Sequence, residues 1–164
     1  MPRPFDGVRV LDLTHVLAGP FCTYQLAVLG ADVVKIEPPD QPDCARGRGP
    51  DAAQNAALRG LNYEVQGGNK RAIALDLKHP RGRAILLRLV AGADVLVENY
   101  RVGALAALGL DDTALESANP KLIRCSITGF GQEGPRATVN AYDNGVQAAS
   151  GVMARTGTEA NGPL

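Results

Sequence analysis

Short runs of β-branched and apolar residues alternate along this chain with segments of helical period, and that alternation limits its fold more than any other feature. A strand that returns parallel to its predecessor needs a crossover of a dozen or more residues, which a helix supplies. The runs Val8 to Thr14, Ala31 to Glu37, Arg71 to Leu77, Asp94 to Asn99 and Lys121 to Ile127 therefore predict five strands of an open parallel α/β sheet. After the first, Pro20 suits an opening helical turn, where its missing N–H costs nothing. Phe21, Tyr24, Leu26, Val28 and Leu29 predict the apolar face of that helix, and Gly30 its C-terminal cap.

Pro80 begins a second helical segment whose Ile85, Leu86, Leu89 and Val90 share one face. Short helices are expected over Ala104 to Leu108 and Asp112 to Ala118, and a last one over Ala141 to Met153, before a turn-like segment from Thr156 to Leu164. Between Pro38 and Asn69 the chain is rich in Pro, Gly, Asp and Arg, with at most a short helical piece near Ala52 to Leu58. A connection of that length inside a compact domain points to function or to a partner.

Composition then removes whole classes of function. Lys plus Arg number 17 and Asp plus Glu 17, so no net charge draws the chain to nucleic acid or to an acidic membrane. The N-terminus has no apolar signal region and no 18-residue apolar stretch occurs, which predicts a soluble, cytoplasmic protein. Cys22, Cys44 and Cys125 are far apart, and His15 and His79 stand at no metal-ligand spacing from them, so neither a metal nor a disulfide framework is expected. The phosphate-loop pattern is missing, and the nearest approach to a dinucleotide fingerprint, Gly47, Gly49 and Ala52, falls in the long connection instead of between a strand and a helix.

Ligands of open parallel sheets gather outside the carboxyl ends of the strands. Thr14 to Ala18, Asp76 to Lys78, Glu98 to Arg101 and Thr128 to Phe130 occupy those ends and supply a histidine, a lysine, an asparagine, an arginine and two aromatics. That set suits a ligand with phosphates and a flat ring. Each residue also has an ordinary structural reading: His15 as a hydrogen-bonded loop residue, Lys78 as a solvated charge at a helix start, Asn99 as a turn former, Tyr100 as packing. Asp143, in an apolar helical setting, reads as a paired or capping carboxylate or as an acid or base.

Ordered blocks then narrow the reading. Phe5 to His15 (FDGVRVLDLTH), Ala18-Gly19-Pro20, Leu29 to Glu37 (LGADVVKIE), Asp43 to Arg46 (DCAR), Asn69 to Lys78 (NKRAIALDLK), Asp94 to Tyr100 (DVLVENY) and Ser126 to Gly131 (SITGFG) together resemble the start of a class III CoA-transferase. The resemblance implies a Rossmann-like domain that holds coenzyme A, with all of residues 1–164 the N-terminal portion of an interlocked homodimeric enzyme. It implies that His15, Val16, Leu17 and Ala18 line the cofactor, that Leu75 and Lys78 meet its adenosine and phosphates, and that Asn99 and Tyr100 flank its pantetheine. Tyr142 and Asp143 match an aromatic-acid pair near the thioester, Asp143 as an auxiliary catalytic acid.

In such enzymes an aspartate attacks the acyl-CoA carbonyl, and CoA passes through an enzyme thioester to an acceptor carboxylic acid. That aspartate follows a Gly-Pro turn like Gly162-Pro163, which puts it beyond Leu164 and leaves the 164 residues without turnover of their own. An α-methylacyl-CoA racemase shares the fold but resembles its relatives in a His-Asp pair where this chain has Tyr142-Asp143. Tyrosine, with an ordinary pKa near 10, is a weak base at neutral pH. A short CoA-binding protein without activity is the third reading.

Overall fold

Val10, Leu11, Leu13, Val33, Ile36, Leu96 and Val97 are almost completely removed from solvent, so the strands that carry them are covered on both faces, as a parallel sheet requires. In the computed structural model, which describes residues 1–162, the strands are β1 (Arg9–Asp12), β2 (Asp32–Glu37), β3 (Lys70–Ala74), β4 (Val95–Glu98) and β5 (Ile123–Ser126). All pair in parallel, in the order β3-β2-β1-β4-β5. The helices are α1 (Ala18–Val28), α2 (Ala52–Ala56), α3 (Leu61–Gly67), α4 (Pro80–Val90), α5 (Ala104–Ala107), α6 (Asp112–Ala118) and α7 (Asp143–Ser150).

The chain divides into two units, Met1–Ile127 and Thr128–Leu164. In the first, successive strand residues face opposite sides of the sheet. Leu11, Leu13, Ile36 and Leu96 join Leu86, Val90, Leu110 and Leu115 in one core. Val10, Val33 and Val97 join Ala27 and Ala31 in the other, on the α1 side. The second unit is turn-rich and holds α7, which stops at Gly151 in the left-handed conformation (φ 80°), and a 3-10 turn over Met153–Arg155.

Several expectations are corrected. The face that α1 buries is not the one with Phe21, Tyr24, Val28 and Leu29 but the line of small residues Gly19, Thr23 and Ala27, while Phe21 is 53% exposed. The cause is proximity: a Cβ on Gly19 would fall 2.3 Å from the Cβ of Thr14, so only small side chains fit between α1 and β1. β1 ends two residues before Thr14 because the Thr14 N–H turns from the ladder to the Asp12 carboxylate at 2.9 Å. β3 ends at Ala74 because Asp76 forms a turn by accepting the Lys78 N–H at 2.9 Å, and His79 then caps α4 through Nδ1. The long connection contains α3, which the Pro and Gly content concealed, and the last helix is shorter than Ala141 to Met153 because Gly151 stops it.

Candidate functional site

Toward the carboxyl ends of the strands, the α1 side of the sheet changes from hydrocarbon to charge. Asp12 and Lys35 are neighbours in register on β1 and β2, and both are buried. The Lys35 ammonium donates to the Thr14 carbonyl at 2.6 Å and lies 3.4 Å from Asp43 Oδ2 and 3.9 Å from Glu37 Oε1. The Lys70 ammonium reaches across from the start of β3 to Asp12 Oδ2 at 2.9 Å and donates to Thr23 Oγ1 at 2.7 Å and to the Pro20 carbonyl at 2.9 Å. Arg46 pairs with Glu37 at 2.9 Å. Three carboxylates therefore meet three cations, which is what so much buried charge requires. Burial alone would raise the Asp12 pKa, but Lys35, Lys70 and the hydroxyls of Thr14 and Thr23 outweigh it and hold the carboxyl below its ordinary range.

The network supports the loop that leaves β1. The strand order reverses direction between β1 and β4, and such a switch point opens a crevice between the loops that leave the two strands. Here the loops are joined by one side chain: Asn99 accepts the His15 N–H at 2.9 Å and donates to the His15 carbonyl at 2.8 Å. Val16 follows with φ at 73°, a left-handed conformation that costs a β-branched residue about 1–3 kcal/mol. Its N–H donates to Asp43 Oδ1 at 3.0 Å, and the same oxygen accepts the Ala45 N–H at 3.0 Å.

Beside this loop lies a cleft of about 340 Å³ whose wall includes His15, Tyr100, Glu37, Pro38, Asp43 and Cys44. The His15 and Tyr100 rings are 5.4 Å apart and inclined at 49°. Burial lowers the His15 pKa, with Lys35 adding to the effect and Asp43 and Glu98 opposing it, so the imidazole is neutral at pH 7. Burial, reinforced by Glu98, pushes the Tyr100 hydroxyl up to about 12. Among the described residues no lysine or arginine lines the cleft, and the buried oxygens Glu37 Oε1 and Asp43 Oδ2 face Lys35 behind it. The cleft suits an uncharged ring-bearing portion of a ligand. A phosphate belongs outside it.

Of the residues expected from sequence, His15, Val16, Asn99 and Tyr100 come together at the switch point, followed by Leu17 and Ala18, both exposed, at the start of α1. Leu75 does not present its side chain to a ligand, because it is 7% exposed and packed in the core with Leu86 and Val90. Lys78 is exposed at the carboxyl end of edge strand β3, and its ammonium makes no ion pair or hydrogen bond among the described residues. Tyr142 and Asp143 belong to the second unit; Tyr142 is 74% exposed, and Asp143 is exposed as well, not apolar in setting, and accepts from Gln147 Nε2 at 2.6 Å. Pro163, half of the expected Gly-Pro turn, lies outside the described residues.

Sequence reasoning assigned no role to Asp12, Lys35, Lys70 or Asp43. The first two carried a signal all the same: a single acid in VRVLDLT and a single base in VVKIE break apolar runs on neighbouring strands, and charges buried there need opposite charges close by, which Lys70 and Asp43 supply.

The curated relatives are enzymes of one chemistry. The chain is 46% identical over 164 residues to a succinate–glutarate CoA-transferase of Agrobacterium fabrum, covering 98% of this chain and 41% of the relative. It is 47% identical over 154 residues to an acetyl-CoA:oxalate CoA-transferase of Acetobacter aceti, covering 94% and 39%. It therefore spans about two fifths of the length of the relatives it matches. Among solved structures, a CAIB/BAIF family protein from Brucella suis superposes with a TM-score of 0.90 at 39% identity, covering 100% of this chain and 43% of that one. With residues 5–164 also matched by the model of CoA-transferase family III, the chain belongs to that family.

Proposed function

We propose that the protein moves CoA from an acyl-CoA donor to a carboxylic acid acceptor, and that this portion supplies much of the CoA cradle. The observation that carries the reading is the combination of family membership over residues 5–164 with a cleft at the β1/β4 switch point whose wall is two uncharged rings and two carboxylates. His15, Val16, Leu17 and Ala18 form one side of the cradle, and Asn99 and Tyr100 the other. Lys78 takes a phosphate at the sheet edge, and Leu75 contributes through its backbone. A flexible substrate then runs across the carboxyl ends from β3 to β4; neighbouring strands are about 4.8 Å apart, so three spacings separate β3 from β4 by roughly 14 Å.

The nucleophilic aspartate lies in the part of the relatives' length that this chain does not span, so residues 1–164 alone do not turn over, and Asp143 acts as an auxiliary acid with Tyr142 beside it. The aspartate carboxylate attacks the acyl-CoA carbonyl, forming a mixed anhydride and releasing CoA thiolate; the thiolate attacks the aspartyl carbonyl, forming an enzyme thioester and releasing the donor acid as its carboxylate. The acceptor carboxylate then attacks the enzyme thioester, forming a second anhydride and freeing the thiolate, which attacks the acceptor carbonyl to give the new acyl-CoA and restore the aspartate. Exposed Phe21 and Val28 on α1 support a homodimer in which these apolar side chains are covered; the cytoplasm is the compartment proposed for it.

Calorimetry on the intact protein tests the cradle. CoA is expected to bind, and Lys78→Ala to weaken binding by about 1.5–3 kcal/mol, the range for a hydrogen bond to a charged group. No binding of CoA by the wild type, or no exchange of CoA between an acyl-CoA and a dicarboxylic acid, overturns the reading. Deuterium uptake at the α-carbon of a 2-methylacyl-CoA without an acceptor acid turns it to a racemase.

A further inference from the structure

The loop after β1 contains three consecutive residues whose backbones are each held by a side chain from elsewhere. Lys35 holds the Thr14 carbonyl, Asn99 holds both backbone groups of His15, and Asp43 holds the Val16 N–H. Sequence alone makes this loop an improbable one, since it has a left-handed residue and places valine there. Dinucleotide-binding loops solve the same turn with glycine. Without glycine, the conformation has to be enforced from outside.

Asp43 is the component that joins the loop to the long connection. One oxygen, Oδ1, accepts from Val16 and from Ala45, while Oδ2 faces Lys35. Its carboxylate is buried, its neighbour Cys44 lines the cleft, and the next charged side chain, Arg46, is engaged by Glu37. The segment from Pro38 to Cys44 thus forms one wall of the cleft and holds the Val16 backbone across from it through a single residue.

We infer that Asp43 is a positioning residue for CoA binding, its carboxylate holding Val16 in the left-handed conformation that fixes His15 and the start of α1 against the ligand; this rests on the CoA-transferase reading. Asp43 touches no reacting atom. It acts through the loop.

Two substitutions in the intact protein separate this role from a merely local one. Asp43→Ser keeps a short acceptor for the Ala45 N–H two residues on but is too short to hold Val16 as well, whereas Asp43→Asn keeps an oxygen for both amides. With D43S, amide hydrogen exchange is expected to accelerate at Val16 and not at Ala45, the CoA dissociation constant to rise tenfold or more, and KM for acyl-CoA to rise with a smaller change in kcat. D43N, which keeps an oxygen for both amides but gives up the charge facing Lys35, should leave exchange at Val16 slow and lose less CoA affinity than D43S. Glycine adopts a positive φ freely, so in a Val16→Gly background the cost of D43S to CoA binding should shrink severalfold. A wild type that binds CoA beside a D43S variant with unchanged affinity overturns the inference and leaves the CoA reading standing. So does a D43S cost that is the same with and without V16G. A wild type that does not bind CoA removes both, and unaltered exchange at Val16 in D43S removes the clamp itself.

Discussion

The two sides of the sheet are built on opposite principles. On the α4 and α6 side, Leu11, Leu13, Ile36, Leu86, Val90, Leu96, Leu110 and Leu115 form a continuous hydrocarbon core. On the α1 side, the apolar cluster is limited to Val10, Val33, Val97, Ala27 and Ala31, and beyond it the same strands bury Asp12, Lys35 and Glu37. The first side gains stability from area removed from water. The second gives up hydrocarbon, and what it obtains is the position of backbone groups at the strand ends: Thr14 on Lys35, the first turn of α1 on Lys70 and Thr23. Burial is common to both, and the difference lies in whether a side chain is used for its surface or for its reach.

Breaking the charged side is expected to have the largest effect. Asp12→Ala leaves Lys70 buried without its carboxylate partner, and removal of one partner of a buried pair costs about 3–5 kcal/mol. Chemical denaturation of the intact protein should read that loss, and a loss below about 1 kcal/mol would show the pair to be poorly formed. The hydrocarbon side gives the matching measurement: Leu86→Ala, at a site with no exposure, should cost about 2–5 kcal/mol. It should leave the CoA dissociation constant unchanged under conditions where the protein remains folded, and a large change there would contradict the separation of the two sides.

The smallest expected effect is a titration. His15 has a folded pKa lowered chiefly by burial, so between the ordinary value of 6.5 and that lowered value the unfolded chain takes up a proton that the folded chain refuses. Stability is therefore retained above pH 6.5 and falls as the pH drops through that window. The slope should vanish in His15→Gln, and a slope of equal size in that variant would assign the titration to another group. Asp12, whose pKa is lowered, loses its contribution only at more acid pH, as the pH falls below its ordinary value of 3.8.

How far the site was legible from sequence varied residue by residue. That His15, Asn99 and Tyr100 lie together was legible because they follow strand ends, and a strand end is visible as the place where an apolar run stops. Leu75 is placed at the ligand only by the resemblance of its block, whereas in the structure Leu75 and Leu77 both turn inward to the core. Lys70 reads as one more charge beside Arg71, and nothing in its neighbours shows that one of the two is buried against β1 while the other pairs with Asp32 at the surface.

By itself the sequence determined the α/β class, the number of strands, the parallel sheet and the family, because each rests on periodicity or on ordered local blocks that survive without coordinates. The strand order, the use of small residues on α1, the pairing of Asp12 with Lys70 and the hold of Asp43 on Val16 were decided only by tertiary structure. The partners in the two pairings lie 58 and 27 residues apart. No local propensity carries information over such separations, and a buried charge takes as its partner whatever opposite charge the packing of helix on sheet brings within reach.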